Sequence, residues 1–145
     1  MKKILIINGV NLNCLGKRET SIYGSKTLPD IQDDCIAKFG NKYDISFYQS
    51  DIEGEICNKI NTSTEVDYLI INAGAYTHTS VAIMDAISIF KNNNKNAKII
   101  ELHISNIFKR EDFRSQSYIS LVADIVFSGA GENAYVSSIA MLEHL

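Results

Sequence analysis

At 145 residues, 46% hydrophobic and 21% charged, the chain has the length of one domain and the composition of an ordinary globular protein, able to bury roughly two thirds of its unfolded surface. A formal net charge of -3 leaves no basic excess to suggest nucleic acid or an anionic membrane, and no apolar run is long enough to span a bilayer. Cys14, Cys35 and Cys57 are odd in number and never form a CxxC pair. They read as small hydrophobes in a reducing, cytoplasmic compartment rather than as a disulfide or zinc framework.

The N-terminal "MKKILIINGV" puts two lysines before an apolar run, as a secretory signal does, but the polar "NGVNLN" ends the run too soon. Residues 3–8 therefore read as a first strand. Residues 8–25 form a loop too long for an ordinary strand-to-helix turn, carrying Lys17, Arg18 and Tyr23. Long loops in compact domains are lids or disordered segments, and length alone leaves both open here. Leu28, Ile31, Cys35, Ile36 and Phe39 then mark a helix, with Thr27 as N-cap and Pro29 in its first turn.

A second strand covers 44–49, a short helix follows "EGE" at 53–55, and a third strand covers 67–72. The next helix runs from about Thr79 to Phe90, with Val81, Ile83, Met84, Ile87 and Phe90 on its apolar side. After the polar turn "KNNNKN" come strands at 97–103 and 123–129, and a last helix at about Glu132 to Leu145. Near-continuous Ile/Leu strands alternating with helices predict a single-domain, flavodoxin-like, doubly wound α/β fold around a five-stranded parallel sheet. Right-handed crossovers then place the C-terminal ends of all the strands along one edge.

Ligands of open α/β sheets bind at that edge. The segments following the strands are "NGVNLNCLGKRETSIYG", "QSDIEGE", "NAGAYTHTS", "ELHISN" and "SGAGENAY". Any single Asn or Ser among them reads equally as a cap or turn residue. Together they favour a site. In "ELHIS", Glu101, His103 and Ser105 fall on one face of a strand and Leu102 and Ile104 on the other. Glu101 would then orient His103 as a general acid, although a structural histidine at a sheet end fits the motif as well. A tyrosine beside one or two guanidiniums has a stabilised phenolate and can serve as general base. His78, His103 and His144 show no metal-ligand spacing. "SGAGENAY" lacks GxGxxG and any following Lys-Ser/Thr, so a phosphate or flavin module is the weaker reading, and no GxSxG elbow is present.

In combination, "INGVNLNCLGKRETSIYG", "QSDIEGE", "INAGAYTHTSVAIMDAI", "ELHISNIFKREDFRSQSYIS" and "GAGENAY" resemble the type II 3-dehydroquinate dehydratases, in order and over nearly the whole chain. The resemblance implies a flavodoxin-like enzyme of the shikimate pathway, in aromatic amino acid biosynthesis, that needs no cofactor or metal. Such an enzyme removes water from 3-dehydroquinate by anti elimination through an enolate, giving 3-dehydroshikimate. By the same resemblance Tyr23 takes the C2 proton, Arg18 stabilises its phenolate, and Asn11 holds a water against the enolate oxygen. His103 protonates the departing C1 hydroxyl with Glu101 as its partner. Asn72, His78, Ser105 and Arg114, with the backbone at Ile104, grip the substrate's carboxylate and hydroxyls. Asp85 reaches the site of a neighbouring subunit in a homo-oligomer, a dodecamer built from trimers.

The sequence departs from the family pattern at Val10 and Thr20, where proline is usual, and at Asp51 and Ile52, where Asn and a polar residue are usual. Loss of the prolines is expected to loosen the first loop. An inward-facing Asp51 would disfavour an anionic substrate. These departures keep a catalytically impaired homologue as a second alternative.

Overall fold

The alternation of side chains along the first strand decides how the molecule is layered. In β1 (Lys2–Asn8), Ile4 and Ile6 enter one core while Leu5 and Ile7 enter another on the opposite face of the sheet. The computed structural model describes residues 1–17 and 19–145. Among these, β2 (Tyr43–Gln49), β3 (Tyr68–Asn72), β4 (Lys98–His103) and β5 (Ile125–Ser128) complete a parallel sheet in the order β2-β1-β3-β4-β5. This is the flavodoxin-like order, in keeping with the fold class expected from the sequence. Every residue of the central β3 is buried, as a strand covered on both faces must be.

The helices are α1 (Thr20–Tyr23), α2 (Leu28–Phe39), α3 (Glu53–Thr62), α4 (Val81–Asn93) and α5 (Ala134–Met141). Cores lie between the sheet and α2 with α5 on one side, and α3 with α4 on the other. α2 starts as predicted: the Thr27 hydroxyl accepts from the Asp30 amide at 3.3 Å, and the Asp30 carboxylate accepts from the Thr27 amide at 3.0 Å. Leu28, Ile31, Cys35 and Phe39 form its buried face, and a fully buried Leu, Ile or Phe side chain contributes roughly 1.5–3 kcal/mol. Burial pushes the Cys35 thiol up to about 11, so it stays neutral as a small hydrophobe.

Three details differ from the sequence reading. Ile36 is 46% exposed, because it stands about 140° round the helix from Ile31 and misses the buried face. In α4 the buried set is Ile83, Ala86, Ile87 and Phe90, while Val81 is exposed and Met84 half-buried. The last α-helix starts at Ala134 after a 3-10 turn, Gly131–Asn133, rather than at Glu132. The first loop also holds structure of its own, a 3-10 turn at Leu12–Cys14 and the single-turn α1. No helix among the described residues is long and apolar enough to cross a membrane.

Candidate active site

The chain leaves β1 towards β2 and returns to β3 on its other side, so the turns after β1 and β3 diverge at the carboxyl edge of the sheet. A crevice at such a switch point is where open α/β sheets bind ligands. Here it is a cleft of about 120 Å³. Asn11 and Tyr23 from the first loop, Asn72 and His78 from the turn after β3, and His103, Ile104, Ser105, Arg110 and Arg114 from β4 and the segment after it all line it.

The wall from the first loop depends on a residue outside the cleft. Asn11 has φ 67, a left-handed conformation that asparagine tolerates better than most residues. Its amide donates to Asp51 Oδ1 at 2.8 Å, and Gln49 Nε2 donates to the same oxygen at 3.1 Å. The Asp51 backbone carbonyl accepts from the Tyr76 hydroxyl at 2.7 Å. Asp51 therefore braces the loop and does not line the cleft, so the inward-facing case considered from the sequence is not the one observed. Close packing of the two turns explains Gly74, which has φ +62 and where a Cβ would stand 2.7 Å from the Val10 carbonyl oxygen.

In the second wall, Asn72 is held at both ends of its amide. Nδ2 donates to the Tyr135 hydroxyl at 2.9 Å and Oδ1 accepts from the Gly74 amide at 3.2 Å. The Tyr135 hydroxyl in turn donates to Asn8 Oδ1, and burial pushes its ionisation far up, so it remains a neutral strut. His78 Nδ1 lies 2.6 Å from the Gln116 carbonyl. Only an N–H can donate there, so Nε2 carries the lone pair of the neutral ring. Burial, with His103 and Arg114 close by, holds His78 below its ordinary value.

In the third wall, His103 is buried and its ring stacks on that of His78 at 6.4 Å between centroids and 17° between planes. Its Nε2 lies 3.1 Å from Glu101 Oε2, without the alignment of a hydrogen bond. Glu101 is itself 1% exposed. Ser117 Oγ donates to its Oε1 at 2.5 Å, and Ser120 Oγ lies 2.8 Å from both carboxylate oxygens. Burial pushes this carboxyl up, but His103 and the two serines outweigh it, leaving Glu101 below the ordinary carboxylate value. The strand pattern thus brings Glu101 and His103 together as "ELHIS" suggests. Arg114 donates through Nε to Glu111 at 2.6 Å.

Arg110 went unassigned in the sequence reading. Its guanidinium carbon sits 5.2 Å from the Tyr23 ring centroid, and Nη1 reaches Ser105 Oγ at 3.4 Å. Its sequence signals were a cation in the loop after a candidate catalytic strand and its place in the block "ELHISNIFKREDFRSQSYIS". Ser117 and Ser120 carried less signal still, being ordinary turn residues in a serine-rich stretch. Of the remaining expected residues, Asp85 is exposed on α4 and does not line this cleft. Arg18 lies outside the described residues.

The sequence model of the family described as Dehydroquinase class II matches residues 2–143. The chain belongs to this family. A 3-dehydroquinate dehydratase of Prochlorococcus marinus is 47% identical over 137 residues, covering 93% of this chain and 90% of that protein. A catabolic 3-dehydroquinase of Debaryomyces hansenii is 45% identical, covering 96% of this chain and 95% of its own. The crystal structure of a type II dehydroquinase from Butyrivibrio crossotus superposes with a TM-score of 0.88 at 39% identity, over 98% of this chain and 97% of that one. The likeness to that structure over nearly the whole of both chains accounts for the fold.

Proposed function

We propose that the chain is a cofactor-independent 3-dehydroquinate dehydratase that converts 3-dehydroquinate to 3-dehydroshikimate and water in the cytoplasm. The observation that carries this reading is the pairing within one cleft of Tyr23, beneath the Arg110 guanidinium, with His103, backed by the buried Glu101 carboxylate. Membership of the dehydroquinase family supports it.

In this mechanism the Tyr23 phenolate takes the C2 proton and the C2–H electron pair becomes an enolate with the C3 ketone. The arginine cations favour the ionised base, and Asn11 holds a water against the enolate oxygen. His103 then gives its proton to the C1 hydroxyl as the C1–O bond breaks. The enolate pair closes the C1–C2 double bond, and the oxygen leaves as water. A base and an acid from different loops suit an anti elimination, because the two bonds break on opposite faces of the ring. Arg114, with Nε committed to Glu111, offers its terminal nitrogens to the substrate carboxylate. Asn72, His78, Ser105 and the backbone of Ile104 take the hydroxyls.

The 8–25 loop acts as the lid, excluding water when substrate is bound. Asp85 meets the cleft of a neighbouring subunit in a dodecamer assembled from trimers. Equilibrium sedimentation reads the assembly directly; a monomer at working concentration would remove that role from Asp85. The test of the activity mixes metal-stripped protein with 3-dehydroquinate and follows the ultraviolet absorbance of the conjugated product. Growth of that band without added cofactor and in the presence of borohydride is expected. A flat trace with good substrate would sink the reading.

A further inference from the structure

We infer that Glu132 is the positioning residue that fixes the lid hinge, and with it Tyr23, relative to His103. The inference rests on the reading of Tyr23 as base and His103 as acid. It starts from an oxygen with three donors: Glu132 Oε1 accepts from the Ser25 amide, from Ser25 Oγ at 3.2 Å and from the Lys26 amide at 3.1 Å. These residues lie just after Tyr23, where the first loop ends. Between them and Tyr23 stands Gly24, with φ +86, whose missing Cβ leaves the space that the Glu132 side chain fills. A single turn of helix, Thr20–Tyr23, has little stability of its own, so what holds its ends helps to set its place, beside the contacts of Tyr23 with Arg110 and the core.

The other end of this contact is equally fixed. Glu132 lies on the segment after β5, where the Gly129 amide donates to the His103 carbonyl at 3.1 Å and the Gly131 amide to the Ile104 carbonyl at 2.9 Å. One short strap therefore runs from the backbone of the acid to the backbone beside the base. A carboxylate suits the clasp because it can accept several N–H and O–H donors at once, and charge-assisted bonds of this kind are about twice as strong as neutral ones. The strap sets the spacing of the two reacting groups before substrate arrives, and errors in that spacing are costly.

The test compares Glu132→Ala and Glu132→Gln with the unaltered protein by two readouts: trypsin nicking within residues 17–26, and the split between kcat and KM. Glu132→Ala is expected to be nicked about tenfold faster and to lose about tenfold in kcat with a smaller change in KM. Glu132→Gln, which keeps an acceptor oxygen, should fall between the two on both. Thermal melting checks that each variant is folded; if the alanine variant is not, the glutamine variant decides alone. Unchanged nicking overturns the clasp, and faster nicking with unchanged kcat overturns its role in placing Tyr23. An unaltered protein without dehydratase activity would remove the catalytic reading, while the nicking comparison would still decide the clasp.

Discussion

Replacing Ser117 by alanine tests whether the buried Glu101 carboxylate is held ionised by its neighbours. The lost bond is short, 2.5 Å to Oε1, and a hydrogen bond to a charged group is worth roughly 1.5–3 kcal/mol. Ser117 Oγ also accepts from the Ser120 amide at 3.1 Å, but Ser120 is exposed and water can replace that bond. For a chain of this size the loss lowers the melting temperature by roughly 3–12 °C near neutral pH. The sign of the pH dependence follows from Glu101 lying below the ordinary carboxylate value of 4.5. A depressed group stabilises the fold above its unfolded value, and that stability is lost as pH falls through the folded value. The gap between Ser117→Ala and the unaltered protein should therefore be full at pH 7.5 and shrink in acid, as pH falls through the folded value of Glu101, which lies below 4.5. Ser115→Ala serves as control, since the Ser115 hydroxyl donates to the neutral Asp112 carbonyl at 2.7 Å; its smaller cost should not vary with pH. Melting curves by circular dichroism across this range decide the matter. A Ser117→Ala gap that stays the same from pH 7.5 down to the lowest pH at which both proteins still melt cooperatively would refute the reasoning.

Three substitutions address the reaction itself. Tyr23→Phe should abolish turnover while leaving substrate affinity largely intact by calorimetry, and an appreciable residual rate would remove Tyr23 as the base. His103→Ala should lower kcat by ~100-fold or more, the ordinary worth of a general acid; near-normal turnover would end that assignment. Arg110→Met keeps bulk against the Tyr23 ring but removes the charge 5.2 Å away. It should cost about 100-fold in kcat, with steady-state rates unchanged if the cation has no part in the chemistry.

The sequence made most of the fold legible because two periodicities coincide with two layers. Alternating Ile and Leu in β1 and β3 must serve both faces of a sheet, and Thr27 with Pro29 marks where α2 begins. Apolar spacing alone does not fix how far a helix is rotated about its axis, which is why Ile36 and Val81 proved exposed. The lining of the cleft was legible too, as each strand ends in a polar turn and parallel topology collects those turns on one rim. Glu101 and His103 could be paired because they are two apart in a strand. Arg110, Ser117, Ser120 and Glu132 could not. Their partners lie across the fold: Ser120 is 19 residues from Glu101, and Glu132 is 107 residues from Ser25.

Asp51 shows what this distinction means for judging departures from a family pattern. Read along the chain, an added carboxylate beside a binding site counts against an anionic substrate. In the fold its oxygen accepts from the Asn11 amide and from Gln49, so the charge is spent on holding a left-handed residue in the wall of the cleft. The same division runs through the whole site. Tyr135 holds Asn72, the two serines hold Glu101, and Gln116 fixes the tautomer of His78. Each residue given a role in the site at these points is fastened by one that has none in the reaction, and the fastening residues come from other segments of the chain. Precision of that kind is what an acid and a base on separate loops need, since neither loop alone can set the distance between them.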